Sequence, residues 1–583
     1  MEYNTFFFTK YLNKFNWITK NLHYFLVFFI ILYPILFIFQ EGADVTDVGF
    51  LAMYYQNFFD NFNMGNSVST ETFLSTFIGA IWLKVFPNQG ILGLQFFNLF
   101  FIYSTLGLIY KALIKVSRNR IIVLFGILCG LTFGIRWLLF LTYDYISYFF
   151  LILTSYFLIK GLYSRKNIFF FYSGLLIILA ALSKLPNIVL IFITPLILIY
   201  NNLYKNSTYF SKNLLLSIKQ YIFFISGTLS AVIVVYFLFL YLDFYDFYLD
   251  NLNILKTTLD KGNTSQYSLS NLLEKYIKDC LNFIPHLFVV LALTLTTSLI
   301  YEFSKVKKTI LPIVIFGFLL FVAAFLNYRD FTYQSKIKYF VPAFCAFPII
   351  LSIIRKDKFS NLVVVFSTIT LVQVIGTNTG LFLKFSWGFM ALIPLSIIIL
   401  FEKNLITFKR IKIFTKPIWL IGASIILILS IYARIGWVYH VESGITSRLK
   451  CIYPIEHPKM KGIFTKKENA KYIEELSNSI EINMNKEKNI FIYGHQFMFY
   501  YLTESTPPIR KFWLTNQAVQ VEELFSSLEI SIETTGSFPL IVDTKENIMG
   551  DKGQKRLEKF LKDFDYKLKE SNEKFDIWIS NLK

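Results

Sequence analysis

Residues 167–203 read NIFFFYSGLLIILAALSKLPNIVLIFITPLILIYNNL, two apolar runs (167–183 and 186–203) meeting at Lys184-Leu185-Pro186. An apolar helix of about 20 residues spans the hydrocarbon core of a bilayer, and inside lipid a helix satisfies its own backbone hydrogen bonds. Arg165 and Lys166 precede the first run, and Lys205 follows the second. The pattern predicts two membrane-crossing helices joined by a short turn, with both far ends basic.

The same reading extends outward in both directions. Spans are expected near 23–40, 90–110, 121–140, 143–160, 167–183, 186–203, 221–242, 281–302, 309–326, 339–354, 361–378, 384–401 and 417–438, about thirteen in all. Of 583 residues, 55% are hydrophobic and 16% charged, against about 25% charged in a soluble chain. A single soluble core is therefore excluded. The net charge of +19 is distributed as a topology pattern and points to no nucleic acid. Alternate connections carry the lysines and arginines, among them Lys111, Lys115, Arg118 and Arg120; Lys305, Lys307 and Lys308; and Arg355, Lys356 and Lys358. Basic connections mark the cytoplasmic side, so the N-terminus is expected inside and the C-terminal part outside. The first apolar run is longer than a usual signal segment and reads as an anchor.

The membrane part is expected to occupy 1–438, and a small extracytoplasmic α/β domain 439–583. Thr465-Lys466-Lys467-Glu468 has the form of a capping box, with Tyr472, Ile473, Leu476 and Ile480 on one helical face beyond it. Residues 489–493 and 539–542 read as short buried strands, 553–566 as a helix, and 575–579 as a last strand. Cys129, Cys280, Cys345 and Cys451 are too scattered for a metal site or a disulfide framework.

The first external connection, 41–73, contains no lysine or arginine but holds Glu41, Asp44, Asp47, Asp60 and Glu71. Its Phe50, Leu51, Tyr54, Tyr55, Phe58 and Phe59 suit a helix lying along the membrane surface. Carboxylates clustered beside a bilayer can serve as a general base or hold a divalent cation; alternatively, they mark an outside loop. Asp144 reads either as a site residue or as a helix cap, and Lys184 either as a phosphate ligand or as a lysine snorkelling to the headgroups. Arg136, Arg329, Lys336 and Lys338 add external cations, although Arg329 also suits a surface pair with Asp330. Thr377-Asn378-Thr379 reads as a turn able to hydrogen-bond a sugar.

Thr46-Asp47-Val48-Gly49-Phe50-Leu51, directly after the first span, resembles the first-loop acidic motif of GT-C glycosyltransferases. These are polytopic enzymes using polyprenyl-phosphate sugars, such as the aminoarabinose and protein-mannosyl transferases. Many relatives have a second acid where this chain has Val48, a departure that Asp44 would compensate. Tyr143-Asp144-Tyr145, Leu182-Ser183-Lys184-Leu185-Pro186 and the run from Ile490 to Gly494 agree with the same family in order. The resemblance covers the first 200 residues and the last 140; the middle matches by its spans alone.

The resemblance implies a GT-C-like polytopic fold and an inverting glycosyltransferase of a bacterial cytoplasmic membrane. Asp47 would be the catalytic base. Lys184, Asp144, Asp44, Arg329 and Asn378 would bind the donor, and Asp47 and Asp44 any divalent cation. The partners implied are a polyprenyl-phosphate-linked sugar, a lipid, glycan or protein acceptor, and the bilayer. A flippase or transporter of lipid-linked glycans and an O-antigen-type polymerase or ligase are the rival readings. Against a transporter, no matching pair of Gly/Pro-interrupted spans occurs, and the ionisable candidates lie at span ends.

Overall fold

Lys184 and Pro186 end one helix and start another, as the sequence predicts. The computed structural model describes residues 16–59, 71–135, 139–204, 210–246, 248–250, 252, 269–303, 337–375, 381–403, 405–408, 411–438, 447–509, 518–546 and 550–581. The helices of the first half are α1 (Asn16–Ile38), α2 (Asp47–Asn57), α3 (Phe73–Val85), α4 (Gly90–Leu113), α5 (Arg120–Gly134), α6 (Tyr143–Ser164), α7 (Asn167–Ser183), α8 (Leu190–Ile199) and α9 (Phe210–Tyr241). Then come α10 (Leu269–Phe303), α11 (Ile337–Arg355), α12 (Ser360–Val372) and α13 (Leu381–Glu402). A hairpin of β1 (Leu405–Phe408) and β2 (Ile411–Phe414) leads into α14 (Thr415–Gly436).

Among the described residues, six stretches are long and apolar enough to cross a membrane: Asn21–Ile38, Pro87–Leu113, Tyr143–Ser164, Leu185–Asn202, Ser211–Tyr241 and Ile418–Gly436. Other apolar helices, α5, α7 and α12 among them, have 10–17 residues. The span expected at 309–326 lies outside the described residues, as do Asp60, Arg136, Arg329, Asp330, Lys336 and Asn378. With lipid as apolar as the helices themselves, packing in such a bundle relies on small residues that admit close backbones. A Cβ on Gly174 of α7 would lie 1.9 Å from the Phe224 carbonyl oxygen of α9, so only glycine allows that approach.

Among the described residues, the connections around Val116, Lys358 and Lys403 meet at one end of the bundle. Lys358 Nζ donates to the Val116 carbonyl at 3.0 Å, Tyr163 Oη to the Lys358 carbonyl at 3.1 Å, and Lys403 pairs with Asp357. At the opposite end α2 and α3 meet the C-terminal part. There β3 (Tyr453–Pro454) pairs with β4 (Phe464–Thr465), and α15 (Lys467–Asn483), β5 (Ile490–Tyr493), α16 (Met498–Leu502), α17 (Ala518–Thr535), β6 (Leu540–Asp543), α18 (Gly550–Asp563), β7 (Tyr566–Ser571) and β8 (Asp576–Ser580) follow. The sheet order is β5-β6-β8-β7, with β5 and β6 parallel and the other pairs antiparallel.

Three local expectations are corrected. The helix expected to lie along the membrane surface is instead buried: Val48, Phe50, Leu51, Ala52, Met53, Tyr54 and Tyr55 of α2 share one core with Phe497, Met498 and the β5–β6 strands. An apolar surface all the way round a helix demands burial, whereas a surface helix needs one polar face. Thr465 pairs in β4, so α15 starts at Lys467 with Lys466 at its cap. The helix expected over 553–566 stops at Asp563, and Tyr566 opens β7, a strand whose alternating Tyr566, Lys567, Leu568 and Lys569 is visible in the sequence.

Candidate active site

Helix α7 ends because Lys184 leaves the helical region, at φ −160° and ψ 105°, just before the Leu185-Pro186 step. Pro186 then sits in the first turn of the short 3-10 helix Leu185–Val189, where a missing N–H is tolerated. The turn carries Lys184 inward. Its Nζ donates to the Gln373 carbonyl at 2.7 Å and lies 3.3 Å from Asp144 Oδ1, with side-chain exposures of 6% for Lys184 and 5% for Asp144. A snorkelling lysine would be exposed; this one is an internal ion pair. Asp144 occupies the first turn of α6, where the helix dipole favours a carboxylate. Asn187 Nδ2 fixes the turn by donating to Ser147 Oγ at 2.7 Å and to the Ala180 carbonyl at 2.9 Å.

The first connection is tied to the backbone on either side of this pair. Tyr55 Oη of α2 donates to the Leu141 carbonyl at 2.8 Å, and Ser75 Oγ of α3 to the Ser183 carbonyl at 3.2 Å. At the other end of α2, Met498 N donates to the Val45 carbonyl at 2.9 Å. A Cβ on Gly49 would lie 2.2 Å from Met498 N, so Gly49 admits the C-terminal domain to the helix. Asp47 opens α2 at this seam, half-buried. At 1.5 Å per residue, about 12 Å of helix separates it from Tyr55.

Asp144, Lys184 and Gln373 therefore come together, and Asp47 sits at the end of α2 away from Tyr55. Asp44 serves the backbone. Its Oδ1 accepts from Thr46 N at 3.0 Å and Thr46 Oγ1 at 2.6 Å, and its Oδ2 from Val48 N at 3.2 Å. These bonds hold the start of α2 in the manner of a helix cap.

Sequence reasoning missed a second ionic centre. Glu41 is buried with Arg434 and Arg448; Arg448 Nη2 lies 3.0 Å from Glu41 Oε2, and Arg434 Nη2 bonds Oε1. Arg448 Nη1 donates to the Arg434 and Trp437 carbonyls. Burial pushes the Arg448 guanidinium down to about 10, still charged at neutral pH. The triad joins the start of the first connection to the end of α14 and the entry to the C-terminal domain. Its sequence trace is slight: two arginines on the side where basic residues are scarce. Lys459 adds a second tie, donating to Gln56 Oε1 at 2.8 Å and the Tyr501 carbonyl at 2.7 Å. Glu71, just before α3, has its carboxyl pushed up to about 7 by burial.

Among the described residues no group of three or more His, Cys, Asp or Glu side chains is placed to hold a metal ion. Of the two residues expected to hold a cation, Asp44 has both carboxylate oxygens accepting from Thr46 and Val48, and Asp47 opens α2.

No family model matches the sequence, and no curated protein matches it significantly. Among solved structures, the chain is similar to ArnT from Cupriavidus metallidurans bound to undecaprenyl phosphate, at 10% identity over 95% of this chain and 98% of that one, with a TM-score of 0.48. It is also similar to the apo form of the Archaeoglobus fulgidus oligosaccharyltransferase, at 13% identity over 91% of this chain and 70% of that one, with a TM-score of 0.47. These neighbours are GT-C membrane glycosyltransferases.

Proposed function

We propose that this chain is an inverting membrane glycosyltransferase that moves a sugar from a polyprenyl-phosphate donor to an acceptor on the outer face of a bacterial cytoplasmic membrane. The observation that carries the reading is the Asp144–Lys184 pair, buried where the start of α6, the end of α7 and the end of α12 meet. A lysine drawn into the helix ends and fixed by two partners is costly unless its charge is used, and ionisable groups in such places mark substrate paths. The order of the acidic first loop, the Asp144 motif and the Lys184-Leu185-Pro186 turn resembles GT-C enzymes.

In this account the donor enters laterally from the outer leaflet and its phosphate meets Lys184. Arg329 and Asn378 belong to the donor site as further proposals. An acceptor oxygen attacks the anomeric carbon as Asp47 takes its proton, and the bond from that carbon to the phosphate oxygen breaks. Polyprenyl phosphate leaves with the electron pair. A phosphate needs no strong acid to depart, so cationic stabilisation by Lys184 contributes more than proton donation. Asp144 holds the lysine in position, and no step is assigned to a divalent cation. The topology that serves this chemistry has about thirteen crossings, a cytoplasmic N-terminus and an extracytoplasmic C-terminal domain.

Incubating the purified protein with polyprenyl-phosphate sugars and following release of polyprenyl phosphate tests the proposal. Release that depends on acceptor and on Asp47 supports transfer. Movement of intact lipid-linked sugar between leaflets of a proteoliposome without release would favour the flippase reading.

A further inference from the structure

Gln373 follows the last residue of α12 and is 1% exposed. Its backbone carbonyl receives Lys184 Nζ, yet neither its side-chain Nε2 nor Oε1 has a hydrogen-bond partner. Helix α12 packs on α6 and on the Leu185–Val189 turn, the two elements that carry the ion pair. Two more polar atoms, close to that pair in sequence, lack partners: Thr142 Oγ1, two residues before Asp144, and Asn187 Oδ1, three residues after Lys184. Both residues are buried. Buried polar groups are nearly always satisfied, and an amide with no protein partner is unfavourable enough to need a reason. A donor and an acceptor side by side on one amide, on the residue whose carbonyl receives the buried ammonium, specify what would satisfy them.

A phosphate oxygen accepts from Nε2 but offers nothing to Oε1, and a polyprenyl chain serves neither atom. Two neighbouring hydroxyls serve both, one oxygen accepting from Nε2 while the other hydroxyl donates to Oε1. The geometry points to Gln373 as a specificity-determining residue that reads a pair of hydroxyls on the donor's sugar, held beside the phosphate at Lys184. This inference rests on the glycosyltransferase reading and deepens it: the sugar is one with adjacent free hydroxyls, and its recognition is separate from that of the phosphate.

The test measures binding of two probes, polyprenyl phosphate alone and polyprenyl-phosphate hexose, to the full-length protein and to Gln373→Leu, with the melting temperature of each protein without ligand. Deleting the amide is expected to leave affinity for bare polyprenyl phosphate within about twofold and to weaken the hexose-bearing lipid about ten- to a hundredfold, as loss of both bonds implies. The melting temperature should hold or rise, because leucine removes a buried amide that has no protein partner. A hexose lipid lacking one of the adjacent hydroxyls should bind the wild type about as weakly as the complete lipid binds Gln373→Leu. Gln373→Glu, which keeps the shape but loses the N–H donors, should also discriminate against the hexose lipid. Equal losses on both probes, no loss on either, or a lower melting temperature for Gln373→Leu would each overturn the assignment. A wild type that binds neither probe refutes the glycosyltransferase reading itself, whereas one that binds both probes equally refutes the role of Gln373 alone.

Discussion

Lys184 Nζ lies 3.3 Å from Asp144 Oδ1 inside the protein, and the same ammonium bonds the carbonyl of Gln373. Forty residues separate the pair in sequence, so the contact locks α6, the end of α7 and the end of α12 into one unit. Removing one partner of a buried pair leaves the other charge uncompensated, at about 3–5 kcal/mol.

Lys184→Met and Asp144→Leu should therefore each destabilise the protein by about that amount, and the double variant should regain most of the loss. Thermal unfolding in one detergent checks this. Additive losses in the double variant would mean that the two side chains are independent.

Asp44→Ala should cost about 1 kcal/mol of stability through lost bonds at the start of α2, while Asp44→Asn, which keeps the acceptor facing Thr46 but turns an N–H donor toward Val48 N, should cost less in stability and leave turnover nearly unchanged. The structure gives the reason: three of its bonds go to Thr46 and Val48. A hundredfold loss of turnover in Asp44→Asn would instead assign the carboxylate to the chemistry.

Much of this arrangement was legible in the sequence, and the gaps have physical causes. The apolar runs and the alternation of basic connections place the helix ends, because lipid leaves the backbone few choices. Asp144 and Lys184 stand out as ionisable residues at such ends. Their mutual contact does not, since a hydrophobic pattern fixes which end of a helix a residue occupies but not the partner it faces. The burial of α2 was missed because apolar residues beside a membrane suit lipid and protein equally well. Glu41, Arg434 and Arg448 were missed because Glu41 lies about 400 residues before the two arginines in sequence, and no pattern pairs them.

Glu71 supplies a pH test. Its carboxyl is raised by burial from 4.5 to about 7, so the folded state holds the proton more tightly than the unfolded chain does. The penalty for burying it is absent below about 4.5, grows as pH rises towards 7, and is complete above about 7. Melting temperatures of wild type and Glu71→Gln should thus diverge across that window, with the wild type falling relative to the variant. Parallel curves would show that Glu71 titrates normally.

Gly49→Val should detach α2 from α16, because a side chain there collides with the Met498 backbone. The expected result is lost turnover and faster proteolysis of the C-terminal domain, with the bundle intact. Unchanged proteolysis would show that the seam tolerates a side chain.

The central claim is that Asp47, at the start of α2, removes the acceptor's proton. Turnover of polyprenyl-phosphate sugar by Asp47→Asn, at saturating donor and on protein with wild-type melting behaviour, tests it most directly. A general base contributes roughly 10²–10⁴-fold, so the account predicts a fall of that size with donor binding retained. Near-normal release of polyprenyl phosphate by Asp47→Asn would contradict it.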